Sequence, residues 1–145
     1  MDTDHLTAPW WALRVALGAI ALLAGLDKFF NLLADWPAYL SPIVAQLLPF
    51  STSGFMHIVG VIEMLVGAVI LAGYTRPGGY IAAVWLFCIA VNLVTTGRYL
   101  DVAVRDVALA VAAFTLARLT EAGVGAVQPS AVPTNAVGSR RTITA

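Results

Sequence analysis

A few polar side chains interrupt an otherwise apolar chain, and these are the residues that could do chemistry. Lysine, histidine and arginine can donate hydrogen bonds to a ligand oxygen, and a carboxyl group in apolar surroundings can exchange a proton. The candidate ligand-binding residues are Lys28, His57, Glu63, Asn92, Arg105 and Asp106. Their types predict a pocket for a small polar headgroup, with proton exchange at Glu63.

The composition indicates that these residues belong to a membrane protein. Hydrophobic residues make up 60% of the chain and charged residues 11%, whereas soluble domains have about 45–50% apolar and about 25% charged residues. The formal net charge is zero and the basic residues are dispersed, so nucleic acid is not an expected partner. The expected partner is the lipid bilayer.

Residue counts exclude several kinds of site. Cys88 is the only cysteine, so the chain can form neither an intramolecular disulfide nor a Cys-x-x-Cys redox pair. The only histidines are His5 and His57, and His5 lies in the polar N-terminal tail, so a haem held by two histidines is not expected. One histidine with scattered carboxylates lacks metal-ligand spacing, so no metal is expected either.

Four apolar segments are each about long enough to cross a bilayer, which takes about 20 helical residues. They lie at about residues 10–33, 54–73, 79–96 and 102–119. Strands are a poor alternative because the apolar residues do not alternate with period two. The pattern predicts an all-α fold with a four-transmembrane-helix bundle over residues 10–120. Residues 1–9 form an N-terminal tail, and residues 121–145 form a C-terminal tail that is expected to be disordered.

The connections between the segments differ in length. Residues 74–79 and 97–101 are short turns, so the helices on either side are expected to form antiparallel hairpins. Residues 34–53 are longer and apolar at helical spacing, with Ser41 and Pro42 arranged as an N-cap and a first helical residue. This connection predicts one or two short helices that form an amphipathic segment in the membrane interface.

Four alternating spans would bring the candidate residues to the half of the bundle away from the chain termini. Glu63 shares a helix face with Gly60 and Gly67, and Lys28 continues a stripe of small residues that includes Gly25. Because small residues let membrane helices pack closely, Lys28 and Glu63 are expected to point into the bundle. A charge at the bilayer centre costs about 2.5–3.5 kcal/mol on insertion scales, so Glu63 must be paired, hydrogen-bonded or protonated.

A purely structural role explains the same residues. The charges at this end nearly neutralise one another, so they could hold the helices together without a ligand. Taken singly, His57 suits an interfacial hydrogen-bonding residue and Asn92 suits a hydrogen bond between helices. The charged set comprises Asp27, Lys28, Glu63, Arg98, Asp101, Arg105 and Asp106.

The distribution of basic residues predicts the orientation. Lys28, Arg98 and Arg105 would lie on the side away from the termini. The side that holds both termini has the larger set of basic residues, so the positive-inside rule predicts that both termini are cytoplasmic. That larger set is Arg14, Arg76, Arg118, Arg140 and Arg141.

Three stretches of the chain resemble the DoxX family of small four-helix membrane proteins. RVALGAIALLAGLDKFF, at residues 14–30, is similar to the family's first helix. GVIEMLVGAVILAGYTRPGGY, at residues 60–80, has a family-like Gly-x-x-Glu and Gly-Tyr-Thr-Arg turn, and RYLDVAVRDVALAVAAFTLARL, at residues 98–119, resembles the last helix. The family-like positions are Arg14, Gly18, Gly25, Lys28, Gly60, Glu63, Arg105 and Asp106.

The resemblance implies a multi-pass protein of a bacterial inner membrane that is the small subunit of a redox system. The implied role is quinone-linked or a response to oxidative or thiol stress, with a soluble or membrane-bound redox enzyme as partner. The resemblance suggests quinone as the cofactor. A hydrogen bond to a quinone carbonyl oxygen would come from Lys28, His57 or Arg105. Whether the chain is itself an enzyme stays open, and without paired cysteines it cannot perform dithiol chemistry alone.

Two alternatives remain beside the redox role. The first is a non-catalytic membrane scaffold whose charged loops, residues 27–35 and 98–106, dock a partner protein. The second is binding or permeation of a small molecule, which would require an oligomer because one short chain encloses little volume.

Overall fold

The computed structural model describes residues 4–125, and over this range the chain is all helical. The all-α prediction is therefore confirmed. The elements are α1 (Asp4–Asp27), a 3-10 helix (Trp36–Tyr39), α2 (Pro42–Leu47), α3 (Thr52–Leu71), α4 (Thr75–Thr96) and α5 (Leu100–Glu121). Most of the predicted disordered tail, residues 126–145, lies outside the described residues, as do residues 1–3.

Three helices within residues 4–125 are long and apolar enough to cross a membrane: α1 from His5, α3 and α4. Helix α5 has the same length as α4, but it carries Asp101, Arg105 and Asp106 in its first two turns and Arg118 in its last. Its charges, not its length, therefore distinguish it from the other long helices.

Helix α1 begins at Asp4, earlier than the expected start of the apolar segment near Trp10. The extra turns are held by packing, because Leu6 and Trp10 join a core cluster that also contains the buried Val124. The Trp10 Nε1 also donates to the Thr120 hydroxyl at 2.8 Å. Residues just after α5 thus pack against the start of α1.

The long helices form two close pairs, α1 with α3 and α4 with α5, which meet each other less extensively. The first pair is close because glycines face each other across it. A Cβ on Gly25 would lie 2.5 Å from the Gly60 carbonyl oxygen, and a Cβ on Gly67 would lie 2.7 Å from the Gly18 oxygen. Backbone-to-backbone contact of this kind brings the side chains of α1 and α3 within bonding distance.

The buried apolar residues form two separate clusters. One lies near the termini and includes Trp10, Leu17, Ile70 and Leu116. The other is smaller, contains Ala90, Leu93 and Ala103, and packs against Tyr39 and Tyr99. On α5, Asp106 lies between Ala103 of the smaller cluster and Leu109, which packs against the larger one, so a charged residue separates the two parts of the core along this helix.

The long connection after α1 contains two short helices, as expected. The predicted cap of α2 is confirmed, because the Ser41 hydroxyl accepts a hydrogen bond from the Ile43 N–H and Pro42 follows in the first turn. Asn31 has a φ of 51°, a left-handed conformation that asparagine tolerates better than most residues. It turns the chain sharply after α1.

Arg14 ties α1 to the C-terminal end of α3. Its Nε donates to the Ile70 carbonyl oxygen at 3.1 Å, and its Nη2 donates to the Leu71 oxygen at 2.6 Å. The guanidinium also lies 4.6 Å from the centroid of the Trp11 ring. Because the last carbonyls of a helix lack partners within the helix, this cation is a cap supplied by a neighbouring helix.

We expect Arg14→Lys to destabilise the protein by about 1.5–3 kcal/mol, the usual worth of hydrogen bonds made by a charged group. A lysine keeps the charge but cannot reach two carbonyls with a planar fork. The measurement is unfolding in sodium dodecyl sulfate. Arg118→Lys, at an exposed arginine, is the control, and equal losses in both variants would contradict the capping role.

Candidate functional site

A buried ion pair joins the two helices of the first pair. The Lys28 Nζ donates to the Glu63 Oε2 at 2.5 Å, and the two side chains are only 5% and 10% exposed. Gly60 lies one turn before Glu63, where a Cβ would come 3.1 Å from the Lys28 Cβ. The prediction that Lys28 and Glu63 point into the bundle is confirmed, and the glycine spacing is the physical reason.

Trp36 covers this ion pair, and Asp27 holds Trp36 in place. The Lys28 Nζ lies 3.7 Å from the centroid of the Trp36 ring, and the Trp36 Nε1 donates to the Asp27 Oδ2 at 2.8 Å. The Asp27 carboxylate also accepts from the backbone N–H groups of Leu32 and Leu33, both at 3.0 Å. The adjacent charges thus have separate tasks: Asp27 orders the chain after α1, and Lys28 pairs across the bundle.

Asn92 anchors the segment that carries Trp36. We call residues 36–41 the strap. The Asn92 Nδ2 donates to the Tyr39 carbonyl oxygen at 2.8 Å, and the Asn92 Oδ1 accepts from the Ser41 N–H at 3.0 Å. The rings of Tyr39 and Tyr99 pack edge to face, with centroids 4.3 Å apart. The strap is therefore fastened to α1 at one end and to α4 at the other.

We expect Asn92→Ala to loosen the strap, because it removes one donor and one acceptor and leaves a buried Ser41 N–H unpaired. The loss of stability should be about 1–3 kcal/mol. Hydrogen exchange at the Ser41 amide is the measurement, and it should become faster in the variant.

Thr95→Ala is the matched control, since the Thr95 hydroxyl bonds only to the Asn92 carbonyl oxygen of its own helix. Unchanged exchange at Ser41 in Asn92→Ala would show that the strap does not depend on this anchor.

The second helix pair, α4 and α5, places two polar side chains near the ion pair, Trp85 and Asp106. The Trp85 Nε1 is buried and makes no hydrogen bond within residues 4–125, although the indole lies close to the Glu63 carboxyl group. Asp106 is half-buried and interacts electrostatically with Lys28 and Arg105. Lys28 is thus one ammonium group near two carboxyl groups.

The structure brings together three of the six predicted binding residues: Lys28, Glu63 and Asp106. His57 lies apart from the ion pair, stacked on Phe29 with ring centroids 4.8 Å apart. Arg105 is exposed, and Asn92 bonds to the strap rather than to another long helix. Whether any of the six contacts a ligand stays a prediction.

Trp36 and Trp85 also contribute to this site, although neither is among the binding residues that the sequence predicts. A signal for Trp85 was present, because it precedes Asn92 by two helical turns and so lies on the same face of α4. No local pattern points to Trp36, whose position over Lys28 depends on the path of a loop.

The chemistry of the site is that of a hydrogen-bond donor in apolar surroundings. An ammonium group has three N–H donors; Lys28 gives one to Glu63 and presents its charge to the Trp36 ring. A ligand oxygen is the group that such a site could hold. Within residues 4–125, the His, Cys, Asp and Glu side chains form no group of three that could hold a metal ion.

Comparisons with known proteins identify the family. No curated protein and no solved structure matches the chain. The family model of DoxX matches residues 10–97, which include Lys28, Glu63 and Trp85. The match ends before α5, so the resemblance of that helix to the family stays a prediction. Because the match covers more than half of the chain, this membrane protein belongs to the DoxX family.

Proposed function

We propose that this protein crosses a bacterial inner membrane four times, through α1, α3, α4 and α5, with both termini in the cytoplasm. The support for α5 as the fourth span is its packing. Ala103, Ala113 and Ala117 are buried, and α5 packs chiefly along α4. Its outward face carries apolar side chains suited to lipid: Leu100, Val104, Val107, Val111 and Phe114.

The strap and α2 lie in the interface on the opposite side from the termini. Ile43 and Leu47 of α2 are 62% and 79% exposed, and Leu32 before the strap is 83% exposed. Apolar side chains that project so far are stable when they enter the boundary between headgroups and acyl chains. This placement makes α2 the amphipathic segment between the first two spans.

In this membrane the protein serves as the small subunit of a redox system, with quinone as the bound molecule. The observation that carries the proposal is the buried Lys28–Glu63 pair beneath Trp36. A quinone requires a donor for its carbonyl oxygen and apolar or aromatic walls for its ring. The two remaining N–H groups of Lys28 supply the donor, and Trp36 and Trp85 supply the walls.

The electrons come from a partner oxidoreductase, because the single Cys88 excludes a dithiol within this chain. The start of α5 is the docking surface for that partner. Arg98, Asp101 and Arg105 are exposed there, and none makes an ion pair within the described residues. A partner of this kind accounts for either a quinone-linked or an oxidative-stress role.

The test is quinone that copurifies with the protein. The protein is purified in mild detergent and extracted with organic solvent, and quinone is quantified by mass spectrometry against a lipid-matched control. We expect near-stoichiometric quinone in the wild type and a loss of at least about tenfold, or about 1.4 kcal/mol, in Trp36→Leu and Lys28→Met. His57→Ala is the matched control and should retain quinone, since His57 is outside the ion pair.

Gel filtration and circular dichroism establish that each variant is folded. If the wild-type protein contains no more quinone than the lipid-matched control, the proposed quinone role is wrong.

A non-catalytic scaffold is the second candidate, and it is favoured by the same ion pair, since a satisfied pair can hold helices together without a ligand. Its test is affinity capture from native membranes. We expect the wild type to capture one stoichiometric partner protein. The double variant Arg98→Glu/Arg105→Glu should lose this partner, and His57→Ala should retain it. Capture of the partner by a protein that contains no bound quinone would favour the scaffold.

A further inference from the structure

Two arginines meet at the termini-side end of the α4–α5 pair, far from the buried ion pair. Arg76 is in the first turn of α4, and Arg118 is in the last turn of α5. The two helices cross closely there, since a Cβ on Gly79 would lie 2.9 Å from the Ala113 carbonyl oxygen and 3.0 Å from the Ala117 Cβ. This close crossing brings both guanidinium groups to a single carboxylate.

Glu121 joins the two arginines and holds them side by side. Its Oε1 accepts from the Arg76 Nε at 2.9 Å, and its Oε2 accepts from the Arg118 Nη1 at 2.6 Å. The arginine side chains are still 66% and 61% exposed, so both can contact a further molecule. We call Arg76, Arg118 and Glu121 the arginine cluster. Two positive charges and one negative charge give this cluster a net positive charge of one.

The arginine cluster keeps hydrogen-bond donors for an anion. A guanidinium group has five N–H donors, and the bond to Glu121 takes one from each arginine. The planar fork of the remaining donors matches the oxygens of a phosphate group. A phosphodiester carries one negative charge, which the net charge of the cluster complements.

Apolar side chains extend from the arginine cluster along both helices toward the membrane interior. The Tyr80 and Phe114 rings, one turn in from the arginines, pack edge to face with centroids 5.8 Å apart. Beyond them, each helix continues the same face with exposed apolar residues at spacings of three or four. These apolar stripes are Phe114, Val111 and Val107 on α5, and Val84, Phe87 and Val91 on α4. The stripes suit acyl chains, because α4 is long and apolar enough to cross a membrane and α5 packs along it.

We propose that the arginine cluster binds the phosphate of one anionic phospholipid of the phosphatidylglycerol class, whose acyl chains lie along the two apolar stripes. Basic groups between membrane helices on the cytoplasmic side favour anionic headgroups. A zwitterionic phospholipid binds less well, because its headgroup adds an ammonium charge that the arginines repel. The inference rests on the four-span placement proposed above and requires neither quinone nor a partner protein.

The test is lipid retention by the purified protein, measured by native mass spectrometry after release from detergent micelles. Dioleoylphosphatidylglycerol and dioleoylphosphatidylcholine are offered in equal amounts, so the acyl chains are the same and only the headgroups differ. We expect the wild type to retain one phosphatidylglycerol with a preference of at least about tenfold over phosphatidylcholine. Equal retention of the two lipids would overturn the inference.

A double variant locates the preference on the protein. Arg76→Gln/Arg118→Gln should lose the preference, because both cations are removed and Glu121 then repels the phosphate. Arg98→Gln/Arg105→Gln is the matched control and should keep it, since the same charge is removed from exposed arginines at the opposite end of the α4–α5 pair. Exposed ion pairs contribute little to stability, so both variants should fold. A preference that survives in the first variant, or is lost equally in both, contradicts the assigned site.

A competition with the wild type distinguishes a lipid from free phosphate and needs no substitution. Inorganic phosphate is added to the protein that holds phosphatidylglycerol, with sodium chloride at equal ionic strength as the control. We expect the lipid to stay bound in both, because the acyl chains add contacts along the stripes. Displacement by inorganic phosphate alone would make free phosphate the ligand and overturn the lipid.

A further measurement separates this inference from the four-span placement. Ala108→Cys, introduced with Cys88→Ala, puts a thiol on the exposed face of α5. Protection from a membrane-impermeant thiol reagent, together with no lipid preference, would overturn the lipid site alone. Rapid labelling from water would overturn the four-span placement and the lipid site together.

Discussion

Lys28→Met is expected to destabilise the protein by about 3–5 kcal/mol, because removing one member of a buried ion pair leaves the other charge uncompensated. The Glu63 side chain is 10% exposed and has no other ion-pair partner within residues 4–125. Unfolding in sodium dodecyl sulfate, followed by circular dichroism, measures the loss. The same variant removes the cation beneath the Trp36 ring, so tryptophan fluorescence should change before any unfolding.

The double variant Lys28→Met/Glu63→Met separates the pair from the general effect of a substitution. Two apolar side chains of similar size remove both charges, so most of the lost stability should return. The control is Arg76→Met, since the ion pair between Arg76 and Glu121 is largely exposed on the arginine side and should contribute less than about 1 kcal/mol. A Lys28→Met effect no larger than that of Arg76→Met would contradict the buried pair.

Gly60→Leu is expected to separate α1 from α3. This separation should also break the ion pair between Lys28 and Glu63, although Gly60 itself carries no charge. A Cβ on Gly60 would lie 2.6 Å from the Gly25 carbonyl oxygen, and backbone atoms cannot move aside as a flexible side chain can. Overpacking of this kind costs about 1–3 kcal/mol and occasionally more. We expect Gly60→Ala to fall within that range and Gly60→Leu to exceed it, because the larger side chain also meets Phe29 and Lys28.

The measurement is again unfolding in sodium dodecyl sulfate, with a distance between spin labels on α1 and α3 to detect separation. Gly54→Ala is the matched control on the same helix. The nearest atom to its new Cβ is the Ser51 hydroxyl oxygen at 3.2 Å, and alanine favours a helix over glycine by about 0.5–1 kcal/mol. Equal stability in Gly54→Ala and Gly60→Ala would exclude a close backbone crossing as the basis of the α1–α3 pair.

Local sequence patterns were enough to predict the helices. They also predicted which faces of α1 and α3 point into the bundle. The long apolar segments predicted the all-α fold, and Ser41 with Pro42 predicted the start of α2, because capping depends on neighbouring residues. The glycines around Lys28 and Glu63 predicted that both charges point inward, since residues three or four apart share a helix face. Composition and motifs together also indicated a DoxX-family membrane protein.

Tertiary structure alone decided which of the inward groups meet. Lys28 and Glu63 are 35 residues apart, and Asn92 is 51 and 53 residues from its strap partners. Periodicity places a side chain on a face, but it does not say which face of another helix lies opposite or where a loop crosses. Trp36 over Lys28, Trp85 beside Glu63 and Asp106 near Lys28 all follow from how the two helix pairs and the strap pack together.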